Sequence, residues 1–195
     1  MKNLLIWGRG GHSAIVQEAA ELLGYTTIDT TDEKDHRSHN LFNWSPNEWE
    51  VHVAIGNNHS RCNMVRILLW NDYELSTIIH PKAFVSKTAK IGEGCYIGPM
   101  ATVLARATLG KAVIINTTAS VDHDCSIADY AHIAPGAHLC GNVTVGTRSL
   151  IAVGGVVVPK ITIGDDCILG ASSALTRTIE GNNLRLWGIP AGRID

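Results

Sequence analysis

Long apolar runs, clustered positive charge and grouped cysteines are all missing from this chain, and each absence removes a class of function. No stretch approaches the roughly 20 apolar residues that a membrane-spanning helix needs. The opening MKNLLIWGRGG meets glycines after four apolar residues, too few for a secretory leader. A soluble, cytoplasmic protein without membrane insertion is the expectation. Charged residues make up 17% of the chain, with a net charge of −2 and no basic block, which argues against a nucleic-acid surface. The five cysteines show no CxxC spacing and no neighbouring ligands, so neither a metal site nor a disulfide framework is expected. Cys95, Cys125 and Cys167 read instead as compact buried residues.

What the chain has is a period of six. Ile79, Val85, Ile91, Ile97, Val103, Leu109, Ile115, Val121, Ile127, Ile133, Leu139, Val145, Ile151, Val157, Ile163, Leu169 and Leu175 recur at every sixth position. Four places after each comes a second, mostly small series that includes Ala83, Ala89, Cys95, Ala101, Ala107 and Val113. A six-residue period fits neither a lone helix nor an isolated strand. It fits a hexapeptide-repeat parallel β-helix, in which three short strands and three turns make one coil of a triangular prism. Residues 18 apart then stack, one inter-strand spacing of about 4.8 Å per coil. Packing such prisms about a three-fold axis would cover their flat faces and create clefts between subunits.

The first part of the chain follows other rules. A short apolar run at 3–7 closes on Gly8-Arg9-Gly10-Gly11-His12. A helical pattern with Ile15, Val16, Ala19, Leu22 and Leu23 on one face then stops at Gly24. Strands are expected at 25–31 and 51–55, a polar loop at 35–43, and a second helix after Ser60. This is a reduced α/β Rossmann-like domain, and ligands in such sheets bind beyond the carboxyl ends of the strands. Three loops therefore matter: 8–12, 32–34 and 56–58. The first is a glycine turn feeding a helix N-terminus, where N–H groups can hold a phosphate. The chain accordingly divides into a nucleotide-sugar-binding domain at 1–76, a β-helix at 77–178 and a tail at 179–195 that packs on the prism.

After residue 80 histidine occurs only at 123, 132 and 138. His123 lies two places past an inward Val, near a prism corner, with Asp122 and Asp124 beside it. Gly141 shares its phase one coil later. A base with a side-chain-free N–H above it supplies a proton acceptor and an oxyanion donor, the two needs of acyl transfer. A neighbouring carboxylate raises imidazole basicity and fixes its tautomer. His132 and His138 share another phase, either facing a cleft or forming a surface ladder.

These segments resemble the sugar acetyltransferases related to sialic acid O-acetyltransferase and to UDP-4-amino-sugar (bacillosamine-type) N-acetyltransferases. The resemblance is carried by the 8–12 loop, Ala54-Ile55-Gly56-Asn57-Asn58 with Arg61, Asn116-Thr117, Asp122-His123-Asp124-Cys125, Tyr130-Ala131-His132-Ile133, Gly141-Asn142-Val143 and Trp187-Gly188-Ile189-Pro190-Ala191. It implies a left-handed coil, a homotrimer and acetyl-CoA held between neighbouring prisms. It also implies that His123 is the general base, Asp124 its acidic neighbour where many relatives have Glu, and Gly141 the donor to the thioester oxygen. His132 matches a position near the acetyl-CoA arm, and Val153 and Ala171 match backbone contacts to the same molecule. Gly10, Gly11 and His12 match a diphosphate loop, with Gly56 and Asn57 in the third loop beside them. Asp32 and Glu33, or alternatively Asp29, match an acidic pair near the nucleotide base. The implied reaction is N-acetylation of a nucleotide-linked amino sugar, of the 4-amino-4,6-dideoxy class, for a cell-surface glycan. O-acetylation of a sugar hydroxyl, or a non-catalytic scaffold, are the alternatives.

Overall fold

The computed structural model describes residues 3–32 and 43–194. The first domain is a three-stranded parallel sheet in the order β2-β1-β3, built from β1 (Asn3–Trp7), β2 (Ile28–Thr31) and β3 (Trp49–Val53). Successive side chains of β1 point to opposite faces. Leu4 and Ile6 pack with Val16, Ala19 and Ala20 of α1 (Gly11–Leu22), while Leu5 and Trp7 pack with Met64, Val65 and Leu68 of α2 (Asn58–Trp70). The second strand is shorter than the 25–31 run predicts. The third lies two residues earlier than 51–55, because its register to β1 begins at Asn3↔Trp49 and Ala54 falls beyond the sheet's carboxyl edge. The predicted polar loop at 35–43 falls, except for Asn43, outside the described residues.

From β4 (Ile78–Ile79) to β20 (Ala174–Leu175) the chain winds through seventeen two-residue strands. They form three parallel faces in which each strand pairs with the one three places on, as in Ile97↔Ile115↔Ile133. The second residue of each strand points inward. From Ile97 to Leu175 this column is essentially buried, with the small series Cys95, Ala101, Ala107 and Val113 filling the space beside it. Each buried aliphatic contributes roughly 1.5–3 kcal/mol by removal from water. This is the α/β domain followed by a parallel β-helix that the repeat predicts.

The turns carry a second, unforeseen period. From Gly94 to Ser172 every sixth residue has φ between 49° and 71°, and most of these residues are not glycine. The left-handed conformation costs an L-residue about 1–2 kcal/mol. From Met100 to Ser172 each such residue donates its N–H to the coil below, as in Asp124 N–H to Ala105 O (3.0 Å) and Asn142 N–H to His123 O (2.9 Å).

The three faces differ outside. On the first, the outward residues Ile78, Tyr96 and Ile114 are apolar and are sealed by the α1 side of the small domain. On the third, Lys90, Ser126, Thr144 and Thr162 are exposed. The tail adds β21 (Arg185–Gly188) parallel to β19 (Ile168–Leu169) on the first face, then turns back as β22 (Ala191–Arg193). Trp187 lies over Gly170, where a Cβ would come within 2.0 Å of the indole.

Candidate active site

His123 sits in the turn between β11 (Ser120–Val121) and β12 (Ser126–Ile127), at the corner joining the second and third faces. Asp122 Oδ1 accepts the His123 backbone N–H at 2.7 Å, which closes the turn locally. Asp124, in the left-handed position, brings Oδ2 to 2.7 Å from His123 Nδ1. The shorter carboxylate therefore reaches the imidazole directly. With an ionised Asp124 on Nδ1, that nitrogen carries the proton and Nε2 presents its lone pair.

Gly141 lies directly over the ring. A Cβ there would fall 2.5 Å from His123 Cε1 and 2.6 Å from Nε2, so only glycine leaves room for the imidazole. Its neighbours Cys140 and Asn142 donate their N–H groups to Val157 O and His123 O. The Gly141 N–H has no partner among the described residues. Base and free donor thus meet at one corner.

A second group surrounds a cleft of about 520 Å³ at the carboxyl edge of the small sheet, lined by Gly8, Gly10, Gly11, His12, Asp32, Gly56 and Ser60 among others. This is within the usual size of a ligand site. Gly8 has φ 135°, and a Cβ there would meet Ala54 O at 2.6 Å. Gly10 is the N-cap of α1 and offers no side chain to its first N–H groups; the space beside Gly10 and Gly11 is open. An uncapped helix N-terminus faced by open space suits a phosphate. Asp32 lines this cleft, whereas Asp29 holds Trp44 Nε1 (3.0 Å) and Thr30 N–H (2.8 Å). Glu33 lies outside the described residues.

Beneath the cleft the two domains are locked by Arg61, which is 1% exposed. Its guanidinium donates to Ile55 O, Ala112 O and Tyr130 O at 2.9, 2.9 and 2.6 Å, and to Asn58 Oδ1 at 2.8 Å. Around it stand three imidazoles. Burial, aided by the Arg61 charge, holds His12 down to about 3 and His52 and His132 each to about 4. His132 is bonded to the Gly56 backbone and reaches Asn116 Nδ2 through Nε2 at 3.2 Å. It therefore lies against the small domain of its own chain. Asn57 caps α2 by accepting the Ser60 N–H at 2.9 Å.

Not all expected residues converge. Val153 and Ala171 stack at the corner between the first and second faces, apart from both groups. His138 pairs with Ser120 Oγ at 2.8 Å on the outer second face. The residue that sequence reading missed is Arg106. It grips Asp124 through Nε–Oδ1 at 2.6 Å and Nη2–Oδ2 at 2.7 Å. Its phase is legible, one coil, 18 residues, before Asp124, but the direction of its side chain is not.

Residues 3–68 match the PglD N-terminal domain. PerB from Caulobacter crescentus, solved in complex with CoA and GDP-perosamine, is 30% identical with a TM-score of 0.93, covering 100% of this chain and 98% of that one. The acetyltransferase domain of PglB from Neisseria gonorrhoeae, solved with acetyl coenzyme A, is 34% identical with a TM-score of 0.93 over 99% of both chains. The GDP-perosamine N-acetyltransferase of Escherichia coli O157:H7 is 34% identical over 105 residues, 54% of this chain and 48% of that enzyme. The chain thus spans about half the length of that curated relative. A small α/β domain that matches the PglD N-terminal domain, joined to a hexapeptide coil that aligns end to end with PerB and the PglB acetyltransferase domain, leads to one conclusion: the chain belongs to the sugar acetyltransferases of the left-handed, hexapeptide-repeat superfamily.

Proposed function

We propose that the chain is an acetyl-CoA-dependent N-acetyltransferase acting on a nucleotide-linked amino sugar. The single observation that carries this reading is the His123 imidazole, held by Asp124 beneath a side-chain-free Gly141 whose N–H has no partner among the described residues. The full-length likeness to a protein that holds CoA and GDP-perosamine makes a GDP-linked 4-amino-4,6-dideoxy sugar the first acceptor to try.

In this reading His123 Nε2 takes the proton from the attacking amine, and Asp124 stabilises the imidazolium that results. The Gly141 N–H donates to the thioester oxygen as negative charge gathers there. No covalent enzyme intermediate is required. Gly10 and Gly11 N–H groups bind the diphosphate, with His12, Gly56 and Asn57 shaping the loop edge and Asp32 and Glu33 meeting the base. His132, Val153 and Ala171 contribute to the acetyl-CoA cleft.

The cleft opens beside the first face, whereas His123 lies at the corner opposite that face. A sugar held in the cleft is therefore best placed to meet His123 of another copy, which supports a homotrimer with sites between subunits. The chain units 1–76, 77–178 and 179–195 serve as sugar-binding, acyl-transfer and packing segments. No helix among the described residues is long and apolar enough to cross a membrane. Five free cysteines fit a reducing, cytoplasmic setting.

The test is CoA release and acetylated product with GDP-, UDP- and dTDP-linked 4-amino sugars, alongside free sialic acid. Transfer to one of the nucleotide-linked amines is expected. Acetylation of sialic acid alone would establish the hydroxyl acceptor instead. Absence of transfer together with absence of CoA binding would leave a scaffold.

A further inference from the structure

The turn positions at the His123 corner form a column, Thr88, Arg106, Asp124, Asn142 and Lys160, each 18 residues apart and left-handed from Arg106 to Lys160. Arg106 N–H is fixed from below by Thr88 Oγ1 at 3.1 Å, and its guanidinium meets Asp124 edge-on through two bonds. Asp124 Oδ2 is shared: it accepts both Arg106 Nη2 and His123 Nδ1, each at 2.7 Å. A carboxylate held at both oxygens cannot rotate away from the imidazole. The same guanidinium, first, and the imidazole, second, hold the Asp124 carboxyl well below the usual carboxylate range.

The chain contains a control for this motif. Arg148 and Asp166 stand at the same phase, also 18 apart, with the same two-bonded geometry at 2.7 and 2.5 Å. There Asp166 faces His59 Nε2 at 3.3 Å, on the α2 side of the first face. That pair ties the small domain to the coil. Only the Arg106–Asp124 pair touches the imidazole beneath Gly141.

We propose that Arg106 is a positioning residue for acetyl transfer: it locks the Asp124 carboxylate so that the His123 Nδ1–H tautomer and ring orientation are set before substrate arrives. The inference rests on His123 being the general base. The other ionisable groups around His123 are Asp122, whose Oδ1 takes the backbone N–H, and, on the coils above, Cys140 and Lys160. Neither Cys140 nor Lys160 is bonded to the Asp124 carboxylate, so Arg106 is the cation that governs it.

The decisive measurement does not depend on turnover. Nitrogen-15 NMR of the His123 ring in the whole protein at neutral pH reports which ring nitrogen carries the proton. Arg106→Gln removes the bidentate grip while leaving Asp124 free to serve His123 alone. Mixed tautomers should then replace the single Nδ1–H form, and kcat should fall about 5- to 20-fold with KM for acetyl-CoA nearly unchanged. Arg106→Lys should recover much of the Nδ1–H form, and Arg148→Gln should leave the His123 resonances in place. An unchanged tautomer in Arg106→Gln overturns the proposal, even where the wild type transfers acetyl groups. So does a raised KM for acetyl-CoA with an unmoved kcat, which would make Arg106 a ligand of that molecule. If the NMR shift occurs but neither the wild type nor any variant transfers an acetyl group, the positioning stands and the functional reading fails.

Discussion

Gly141 carries its role through what it omits. A Cβ at 2.5 Å from His123 Cε1 forces the ring off its perch, while the surrounding coil has no need to move. Gly141→Ala should lower kcat about 100-fold or more, in the range set by loss of base and oxyanion contacts, with a Tm within a few degrees of wild type. Kinetics and thermal unfolding on the same preparation check both halves. The buried imidazoles make a separate prediction about pH. His12, His52 and His132 are neutral when folded, with values of about 3, 4 and 4, against about 6.5 when unfolded. Below pH 6.5 the unfolded chain binds protons that the folded chain refuses. Stability is therefore full above that pH and drains as pH falls from about 6.5 towards 4. The slope is at most about 1.4 kcal/mol per pH unit for each imidazole. Urea unfolding at pH 7.5, 6 and 5 measures it, and His52→Gln should flatten the slope by about a third.

At the scale of elements, the fold was written in the hydrophobic period, because a six-residue repeat has one economical way to bury its knobs. The left-handed turn column was not, since Met100, Arg106, Tyr130 and Lys160 share no side-chain chemistry that a reader could group. What they share is a backbone state imposed by winding. The pairing of His123 with Gly141 was legible because counting by 18 is enough to find it. Arg106 was hidden because its role needs the side chain's direction as well as its phase. His132 shows the opposite limit: its phase says only that it faces outward, and the small domain that covers that face decides its surroundings. Arg61 joins the two elements. Arg61→Leu would leave the carbonyls of Ile55, Ala112 and Tyr130 without donors, at a cost of about 3 kcal/mol or more. Chemical denaturation should show this loss, together with early proteolysis between the small domain and the coil.

For the whole molecule, the separation of cleft and base predicts complementation. His123→Ala should lower turnover by about 10²- to 10⁴-fold without unfolding the chain. Gly11→Trp should block the cleft in the same chain's small domain, where the space is now open. Mixed assemblies of the two single variants, formed by co-expression, should regain a measurable fraction of wild-type activity because some clefts pair two intact halves. Activity no greater than the sum of the parents would place both halves of the site on one chain and sink the intersubunit arrangement.

The stacking of one coil on the next also limits how this half of the chain can change in length. A gain or loss of six residues still satisfies every inward position, yet it turns all later strands onto the next face. Placed between Arg106 and Asp124 such a change takes the carboxylate off its guanidinium, and placed between His123 and Gly141 it takes the glycine off the ring. Only steps of eighteen keep every column intact. Length here is quantised by the geometry of a triangle, and the site inherits that arithmetic.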